Sequence, residues 1–533
     1  MASWHSATVG GHYDYVIVGA GSAGCVLANR LSADPGVTVA VVEAGPRDRS
    51  PNIKLPPAFP KLFHTKYDWD LYTTSQPELK ARELYWPRGR TLGGSSSLNA
   101  QMWVRGSRAD YDGWGELAPG WSFDEVLPYF KRAENRVGSN AGDVYGVGGP
   151  LYIEELRDPN RLRAAFFQAC AEQGFSALPE LNVPDLSVGG YAPTPVTQRR
   201  GRRWSAADGY LRPATKRSNV TLLVNAATQR VRLDGGRAVG VDVRLANGAT
   251  RQLSATREVI LCAGAIHSPH LLQLSGIGDP AVLRAASIDV RVPSHDVGKN
   301  LQDHLSAPVI KFTRDPVTLV DAEKPKYLLQ FLLQRKGMLT SNVGEGVAFG
   351  RSTADLAHAD LEYIFAPVPF IEHGQVEPAG HGVTIGVILL QPKSSGTVIT
   401  TSPDPSTAPL IDAGYLSDPD DLARLVAGVE QCERFFSSAA LAELVTEPMM
   451  PTATQTDLAE FVRASAETLY HPVGTCRMGS DDASVVDPQL RVRGVDGLRV
   501  VDAAVMPRII RGHTHAPTVM IAEKAAELIA PPS

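Results

Sequence analysis

The chain has 533 residues, of which 43% are hydrophobic and 20% are charged, an ordinary composition for a globular protein with a large core. At about 100–200 residues per domain, this length allows two to four domains or one large composite fold. The formal net charge of −5 and the lack of a long Lys/Arg block argue against nucleic acid as a partner.

Cysteine usage and hydropathy indicate the kind of compartment in which this chain works. The five cysteines are scattered and form no CxxC pair, so we expect neither a disulfide framework nor a zinc site. The N-terminal stretch lacks the basic and apolar regions of a secretion signal. The longest apolar runs have the length of strands, well short of the ~18 residues of a membrane span. We therefore expect a cytoplasmic protein without a transmembrane segment.

After a short polar leader, the chain contains a strand, a glycine turn, a helix and a second strand. Tyr13–Val18 is largely apolar and β-branched, and the glycine turn GAGSAG follows it directly. Cys25–Leu31 has the composition of a helix, and Val37–Val42 is a second apolar, β-branched run. A βαβ unit of about 30 residues is the context that a dinucleotide-binding fingerprint requires.

Each glycine of this GxGxxG fingerprint has a physical role. Gly19 permits the tight turn, Gly21 lets the backbone approach a pyrophosphate, and Gly24 lets the helix pack on the strand. Glu43 follows the second strand, about 20 residues further on, where an acidic residue binds ribose hydroxyls. The alternative is a glycine-rich turn beside a surface glutamate. The fingerprint alone does not separate NAD from FAD.

The rest of the chain predicts a second sheet and several loops. Residues 50–88 are rich in Pro, Tyr and Trp without periodicity, which indicates extended surface loops. Residues 219–262 predict a β meander with strands at Val220–Val224, Val239–Val243 and Val259–Cys262. We expect further strands at Gly346–Gly350, Leu361–Phe365 and Val383–Leu390, and helices at Pro419–Phe436 and Thr456–Ala466.

Two long motifs make the sequence recognisable. Gly89–Asn99 (GRTLGGSSSLN) and Gly264–Gly278 (GAIHSPHLLQLSGIG) resemble the two signatures of the glucose–methanol–choline (GMC) oxidoreductases. Two glycines followed by three serines form a loop rich in hydrogen-bond donors, which suits a flavin pyrophosphate and ring edge. The resemblance continues through VGKNLQDH, GLRVVDA and HTHAPT and covers essentially the whole chain, nearest to the branch of choline dehydrogenases and aryl-alcohol and hydroxymethylfurfural oxidases.

This resemblance implies a fold, a cofactor and a division into domains. The implied fold combines α/β and α+β parts, a Rossmann-type FAD-binding domain and a substrate-binding domain built on an antiparallel sheet flanked by helices. We expect the FAD-binding domain at residues 12–160, 200–310 and 475–533, and the substrate-binding domain at residues 161–199 and 311–474. Some relatives attach FAD covalently through a histidine of the first signature. Leu98 stands in that region here, so we expect FAD to be held non-covalently.

The motifs and the resemblance together nominate the residues that contact FAD. We expect these contacts from Gly19, Gly21, Ser22, Ala23, Gly24, Glu43, Ala44, Arg90, Gly93, Gly94, Ser97, Asn99, Ala100, Val231, Ala263, Asp502, Ala503, His515, Pro517 and Thr518. The N-terminus of the helix that begins near Pro517 is expected to favour negative charge on the reduced flavin.

Alcohol oxidation needs a base for the hydroxyl proton and an acceptor for the hydride. A neutral imidazole suits the first task and flavin N5 the second. The family places a histidine in an HP motif, which matches His471, and pairs it with a residue that matches His513. We assign His471 as the base and His513 as the partner that orients the substrate oxygen, with His515 as a rival for the second place. Met102, Phe365 and Tyr470 are expected to face the substrate.

Several functional alternatives stay open at this point. The implied activity is oxidation of an alcohol, preferably an uncharged primary alcohol, with O₂ or a quinone- or dye-type acceptor. A choline or glycol dehydrogenase is an alternative, and so is a hydroxynitrile lyase-like enzyme, because such lyases resemble this family without net redox chemistry. A flavin-binding protein without catalysis is a third. The chain is expected to be a monomer or a homodimer with no metal ion.

Overall fold

The computed structural model describes residues 11–138, 144–183 and 189–531, so the polar leader lies outside the described residues. Seven strands form a mixed sheet, here called sheet I. In hydrogen-bonded order they are Val220–Leu223, Val39–Val42, His12–Val18, Thr250–Leu261, Arg237–Leu245 and Ala226–Asp234, and Leu498–Val500 also pairs with Thr250–Leu261.

The parallel part of sheet I forms the centre of the first hydrophobic core. His12–Val18 pairs in parallel with Val39–Val42 on one side and with Thr250–Leu261 on the other. The side chains of Val39–Val42 are buried on both faces, which explains why this run is uniformly apolar. The helix Ser22–Leu31 crosses between the first two strands and packs on the C-terminal helix His515–Ile529.

A second sheet, here called sheet II, is antiparallel throughout. Its strands in order are Val445–Met450, Leu305–Thr313, Gly382–Leu389, Leu361–Ala366, Gly346–Gly350 and Gly190–Pro193, and Glu467–Thr468 also pairs with Leu305–Thr313. The helices Pro419–Phe436 and Leu162–Glu172 pack on one face. The opposite face borders a large cavity. We propose that sheets I and II are the cores of the two expected domains.

Shorter elements complete the fold. Two-stranded sheets pair Leu71–Tyr72 with Tyr85–Trp86, Glu134–Arg136 with Leu151–Ile153, Gln198–Arg199 with Arg202–Arg203, Ile277–Gly278 with Val292–Pro293, and Thr397–Ile399 with Leu410–Asp412. The remaining helices are Pro51–Lys54, Arg108–Leu117, Phe123–Ala133, Arg212–Ala214, Gly264–Leu274, Pro280–Ala285, Pro325–Gln334, Ala439–Ala442 and Leu458–Ser465. In the described part of the chain, none of the helices has both the length and the apolar character to cross a membrane.

The fold confirms most predicted elements and corrects two. Gly346–Gly350 and Pro419–Phe436 have the predicted bounds. The strand Val220–Leu223, however, is the parallel edge of sheet I and takes no part in the meander, because a left-handed turn at Asn225 (φ 51°) separates them. The meander consists of the next three strands, which end at Leu261.

The segment 50–88 was expected to form surface loops, and this expectation is wrong in part. It contains a short helix, a 3₁₀ helix at Pro56–Leu62 and one of the two-stranded sheets. Phe59 and Trp86 are almost fully buried, and Phe59 lines the cavity. The aromatic residues of this segment therefore form a wall of the cavity.

The expectation that Phe365 faces a substrate is also wrong. Alternate side chains of a strand point to opposite faces of a sheet. Ile364 and Ala366 line the cavity, whereas Phe365 is fully buried on the other face. There its ring stacks on Phe166, with 5.2 Å between the ring centroids.

We expect Phe365→Ala to lower the free energy of unfolding by about 3–5 kcal/mol, because it opens a cavity in a fully packed core. Urea denaturation of the purified protein measures this loss. Phe365→Leu serves as the control and should cost clearly less, since it leaves a smaller void. A Phe365→Ala loss below about 1 kcal/mol would contradict the assignment of this side chain to the core.

Candidate active site

The ends of four parallel strands of sheet I lie side by side. Val18 is in register with both Val42 and Leu261, and Leu261 is in register with Val500. The residues that follow these strands therefore meet at one edge of the sheet. Open α/β sheets bind their ligands at this edge, outside the carboxyl ends of the strands.

The glycines of the fingerprint have the steric roles expected of them. Gly19 has a φ of 101°, and a Cβ atom there would lie 2.4 Å from the carbonyl oxygen of Cys262. A Cβ atom at Gly24 would lie 1.9 Å from the carbonyl oxygen of Gly19, so only glycine lets the helix approach the strand. At Gly21, the nearest atom to a Cβ would be 3.8 Å away, and this position is open to a ligand.

Two buried carboxylates tie the strand ends together. Glu43 accepts hydrogen bonds from the backbone N–H groups of Ala20 (2.9 Å) and Gly45 (2.8 Å). Asp502 accepts from the Gly264 N–H (2.8 Å) and the Ser268 hydroxyl (2.6 Å). Burial raises the pKa of Glu43 to about 7 and raises the pKa of Asp502 as well. Both carboxylates border the cavity, where they can accept hydrogen bonds from hydroxyl groups of a ligand.

A cavity of about 1130 Å³ extends from these strand ends to sheet II. It exceeds the ~300–1,000 Å³ of ordinary ligand pockets, so it has room for a dinucleotide and a small second molecule. Most of the residues predicted for the site line it: Gly19, Gly21, Ser22, Ala23, Glu43, Ala44, Arg90, Gly94, Asn99, Ala100, Met102, Ala263, Tyr470, His471, Asp502, Ala503, His513, His515 and Thr518.

Five predicted cofactor contacts are not among the lining residues of the cavity: Gly24, Gly93, Ser97, Val231 and Pro517. Their polar groups serve the protein itself. The Ser97 hydroxyl donates to the carbonyl of Leu92 (2.7 Å), which fixes the glycine–serine loop. The Val231 N–H donates to the Ser275 hydroxyl (2.8 Å). Residues 226–229 of the same strand line the cavity in its place.

A buried carboxylate holds the turn that carries His471. Asp303 accepts hydrogen bonds from the His471 N–H (2.7 Å), the Thr468 hydroxyl (2.6 Å) and the Tyr415 hydroxyl. Burial raises the pKa of Asp303 to about 6. The Arg88 guanidinium donates to the carbonyl that precedes His471 (2.6 Å). The backbone of the candidate base is therefore fixed on both sides.

The neighbouring His304 fixes the imidazole of His471 and its tautomer. His304 Nε2 lies 3.1 Å from the carbonyl oxygen of Leu390, and a carbonyl only accepts, so this nitrogen carries the hydrogen. In a neutral ring, His304 Nδ1 is then an acceptor, and it lies 2.9 Å from His471 Nδ1. His471 must donate from Nδ1. Its Nε2 is left with a free lone pair.

Electrostatics keep both of these rings neutral. Burial is the main cause that lowers the pKa of His304 to about 3. Burial also holds the pKa of His471 well below its usual value, with smaller contributions from His513, His304 and Arg88. A partly buried, neutral imidazole with an unprotonated Nε2 is available to accept a proton at neutral pH, and its lowered pKa makes it a weaker base than a free imidazole.

His513 faces His471 and is anchored by a glutamate of sheet II. The two rings are perpendicular, with centroids 4.9 Å apart. His513 Nε2 donates to Glu362 Oε1 (2.9 Å), and its backbone N–H donates to the carbonyl of Val104 (3.1 Å). Glu362 is fully buried in the strand Leu361–Ala366. The carboxylate fixes the ring and offsets positive charge that develops beside it.

His515 lies nearer to the fingerprint helix than to His471. Its Nδ1 is 3.1 Å from the Ser22 hydroxyl, and its ring packs edge-on against Trp103 with centroids 5.5 Å apart. Burial, with a smaller effect of Arg203, lowers its pKa to about 4. Its Nε2 is buried and has no hydrogen-bond partner among the described residues.

The part of the cavity in front of His471 is aromatic and apolar. Met102 and Tyr470, which are predicted to face the substrate, line it together with Phe59 and Phe63 of the segment 50–88. The Tyr470 hydroxyl is hydrogen-bonded to His373 Nδ1 (2.7 Å), which holds the phenol ring in place.

The residues at the strand ends fit an FAD molecule. His515 Nε2 and Arg90 Nε are buried lining groups without a hydrogen-bond partner in the described part of the chain, and polar atoms of a ligand would satisfy them. A Cβ atom at Gly264 would have no neighbour within 4 Å, so backbone is exposed to the cavity there as it is at Gly21. The strand ends of sheet I, which can bind a nucleotide, therefore lie beside the pair His471 and His513. This combination is typical of an oxidoreductase that uses a dinucleotide cofactor.

Comparison with known proteins identifies the family. Two sequence profiles described as GMC oxidoreductase match residues 13–306 and 392–522. The chain belongs to the GMC oxidoreductase family.

Similar proteins span the whole chain. An uncharacterised GMC-type oxidoreductase of Mycobacterium tuberculosis is 52% identical, over 97% of this chain and 99% of its own length. The alcohol dehydrogenase [acceptor] of Pseudomonas putida is 41% identical, over 97% and 95%. The crystal structure of pyridoxine 4-oxidase from Mesorbium loti has a TM-score of 0.88 and 33% identity, with 97% of this chain and 98% of that chain covered.

These findings confirm the predicted fold class, cofactor and enzyme class. The chain has the GMC oxidoreductase fold, and members of the family bind FAD. It is an oxidoreductase that acts on the CH–OH group of small-molecule donors and passes the electrons to an acceptor.

Sequence reasoning missed the residues that support the two histidines. His304 stands inside one of the family motifs but was not nominated. Glu362 is a charged residue in an otherwise apolar strand, and that contrast is the signal that could have found it, because buried carboxylates need a partner. For the aromatic wall formed by segment 50–88, the only signal in the sequence was its high content of aromatic residues.

We expect Glu43→Ala to weaken FAD binding about tenfold to a hundredfold, because a buried carboxylate that can accept from a ribose is lost. Fluorescence titration of the apoprotein with FAD measures this. Asp14→Ala is the matched control, since Asp14 lies on the neighbouring strand His12–Val18, accepts from the Thr38 backbone N–H (2.9 Å) and does not line the cavity. Unchanged FAD affinity in Glu43→Ala would rule out this role.

Proposed function

We propose that the protein oxidises an uncharged primary alcohol to an aldehyde, with His471 Nε2 as the base and His513 as the residue that orients the substrate oxygen. The observation that carries this proposal is the hydrogen-bond chain from the Leu390 carbonyl through His304 to His471, because it leaves an unprotonated imidazole nitrogen on a partly buried ring that borders the cavity.

The residues divide the reaction between them. The alcohol hydroxyl donates to His471 Nε2 and gives up its proton there, while the Nδ1 hydrogen stays on the bond to His304. Bound FAD supplies N5 as the acceptor of the hydride that leaves the carbinol carbon. The loss of one proton and one hydride converts the alcohol into a carbonyl compound.

The positive charge that forms on His471 needs compensation, since burial disfavours it. Two buried carboxylates can supply it: Asp303, which accepts from the His471 backbone N–H at 2.7 Å, and Glu362, which accepts from His513 at 2.9 Å. His513 therefore has two tasks in this proposal. Its ring orients the alcohol oxygen, and its bond to Glu362 brings a negative charge towards the reacting proton.

The lining of the cavity favours an uncharged substrate. Recognition of a quaternary ammonium by an aromatic cage is strengthened by an unpaired carboxylate. Glu467 lies in this part of the cavity, but its carboxylate contacts Arg82 (3.2 Å) and lies 3.6 Å from His373 Nε2. Glu83 and Glu372 also line the cavity but are exposed to solvent, so the aromatic walls favour an apolar or aromatic alcohol over choline. The named relative, an alcohol dehydrogenase [acceptor], supports an alcohol as the substrate.

Two alternatives are separated by simple measurements. Anaerobic mixing with an alcohol bleaches the yellow flavin only if hydride is transferred. A flavin spectrum that stays unchanged with alcohols, in a protein that cleaves a cyanohydrin, favours a lyase. Oxygen consumption measured beside reduction of a quinone or dye decides between oxidase and dehydrogenase. We propose a broad acceptor range that includes O₂.

We expect His471→Ala to slow flavin reduction by the best alcohol by about 10²–10⁴-fold, the usual contribution of a general base. Anaerobic stopped-flow absorbance of the flavin measures this rate. His295→Ala is the control, because His295 is exposed and lies outside the cavity. A near-normal rate in His471→Ala would remove this histidine from the mechanism.

We expect kcat/KM for the alcohol to stay level as the pH falls from about 9 to about 6 and to decline only in more acid solution. The base acts in its unprotonated form, and its pKa is lowered, so protonation requires a pH well below the ordinary value near 6.5. Steady-state rates across this range measure the profile. An acid limb centred between pH 6.5 and 7.5 would contradict a depressed pKa.

We expect acid precipitation to release all of the flavin into the supernatant, because Leu98 offers no atom for a covalent bond to FAD. Leu98 is buried among apolar residues beside the cavity. Absorbance near 450 nm of supernatant and pellet after trichloroacetic acid treatment measures the partition. Flavin retained in the washed pellet would show a covalent link through another residue.

A further inference from the structure

One helix of the fold exposes the apolar side that a helix normally buries. The helix Pro325–Gln334, here called the leucine helix, has Leu328, Leu329, Leu332 and Leu333 on its outer side, with exposed fractions of 44%, 58%, 56% and 74%. Residues one, four and five positions apart share one face of a helix. These four leucines therefore form a continuous apolar stripe that points into solvent.

The opposite side of the leucine helix attaches it to the protein. Phe331 is buried there and packs in a small cluster with Ala322 and Leu339. The helix contacts the short 3₁₀ segment Met338–Thr340, which in turn contacts Pro56–Leu62 at the wall of the cavity. These contacts place the exposed stripe on the outer side of that wall.

A cluster of cations, here called the basic rim, borders the C-terminal end of the leucine helix. It consists of the exposed residues Arg157, Arg199, Arg200, Arg202 and Lys336. The turn that carries three of them abuts the helix, since a Cβ atom at Gly201 would lie 3.2 Å from both Arg157 Cδ and the carbonyl oxygen of Arg335.

The basic rim keeps its positive charge. In the described part of the chain, none of its five side chains forms a salt bridge with a carboxylate. Two carboxylates contact the backbone of this region and keep their negative charge: Glu154 accepts from the Arg200 N–H (3.0 Å), and Asp158 accepts from the Gly337 N–H (2.9 Å), so the five cations of the rim outnumber them. A local excess of cations stands out in a chain whose net charge is −5.

We infer that the leucine helix and the basic rim form a docking surface for a lipid bilayer with anionic headgroups. Leucines enter the boundary between headgroups and acyl chains, and cations beside them bind lipid phosphates. A helix of ten residues is about 15 Å long, so it lies in the membrane surface and does not span it.

Two other occupants fit this surface less well. Nucleic acid would bind the cations through its phosphates, but it would leave the four leucines of the stripe without an apolar partner. A second copy of this chain, related by a two-fold axis, would bring two basic rims towards each other, and like charges oppose that contact. An anionic bilayer matches both the apolar and the charged part.

The test uses the holoenzyme and vesicles of defined composition. We expect it to sediment with vesicles of equal parts phosphatidylglycerol and phosphatidylcholine, and at least tenfold less with phosphatidylcholine alone. Raising the salt from about 0.05 M to about 0.5 M should release it, because screening weakens the headgroup contacts. Equal sedimentation with both kinds of vesicle, or none with either, would overturn the proposal.

Variants separate the two parts of the surface. Leu329→Glu with Leu333→Glu, and separately Arg200→Glu with Arg202→Glu, should each reduce binding to the anionic vesicles at least tenfold. Leu410→Glu is the control, because it places a glutamate at a 49% exposed leucine on a strand outside the docking surface. This variant should bind the anionic vesicles as the parent protein does. Flavin absorbance and alcohol oxidation in solution confirm that each variant is folded.

Two results would contradict the docking surface. The first is undiminished vesicle binding by the Leu329→Glu, Leu333→Glu variant. The second is a parent protein that elutes as a dimer from a sizing column, fails to bind vesicles and becomes monomeric in that variant. The stripe would then be an interface between copies of the chain.

Discussion

The alignment of the ends of four parallel strands of sheet I sets the position of the groups along the cofactor side of the cavity. Because Val18, Val42, Leu261 and Val500 stop side by side, the turns that follow them share one edge. The fingerprint, two buried carboxylates and the segment with the second histidine all start from these turns. A shift of one residue in any of the pairings would turn alternate side chains to the wrong face and dismantle the cofactor edge.

Sheet II supplies the complementary half, and the two halves meet through hydrogen bonds between side chains of distant segments. His304 directly precedes one strand of sheet II and Glu362 lies in another, whereas His513 follows the last strand of sheet I. Desolvation alone would leave the imidazoles free to rotate. The carbonyl of Leu390 and the carboxylate of Glu362 give each ring one orientation, and this orientation decides which nitrogen is free to react.

Local sequence patterns predict much of this architecture. Most of the features that they do not predict depend on pairing between segments that are distant in the sequence. The fingerprint and Glu43 were predictable because steric and charge requirements act within one βαβ unit. The parallel pairing of Val220–Leu223 was not, because an apolar run does not reveal its partner strand. The face on which Phe365 lies could not be predicted for a related reason. Both faces of sheet II are largely apolar, so the strand shows no alternation of polar and apolar residues that would mark which face borders the cavity. His304 became visible as a positioning residue only through its distance to His471.

The order in which the chain leaves the ribosome has a consequence for cofactor capture. The strand Leu498–Val500 completes the parallel edge, and Asp502, His513 and His515 follow it near the C-terminus. The N-terminal fingerprint is synthesised first yet lacks these partners until almost the whole chain has emerged. Pairings between such distant segments form slowly, since a long loop must close before any contact compensates for the lost entropy. FAD can therefore meet a complete site only after the segment with Asp502, His513 and His515 has folded onto the N-terminal fingerprint.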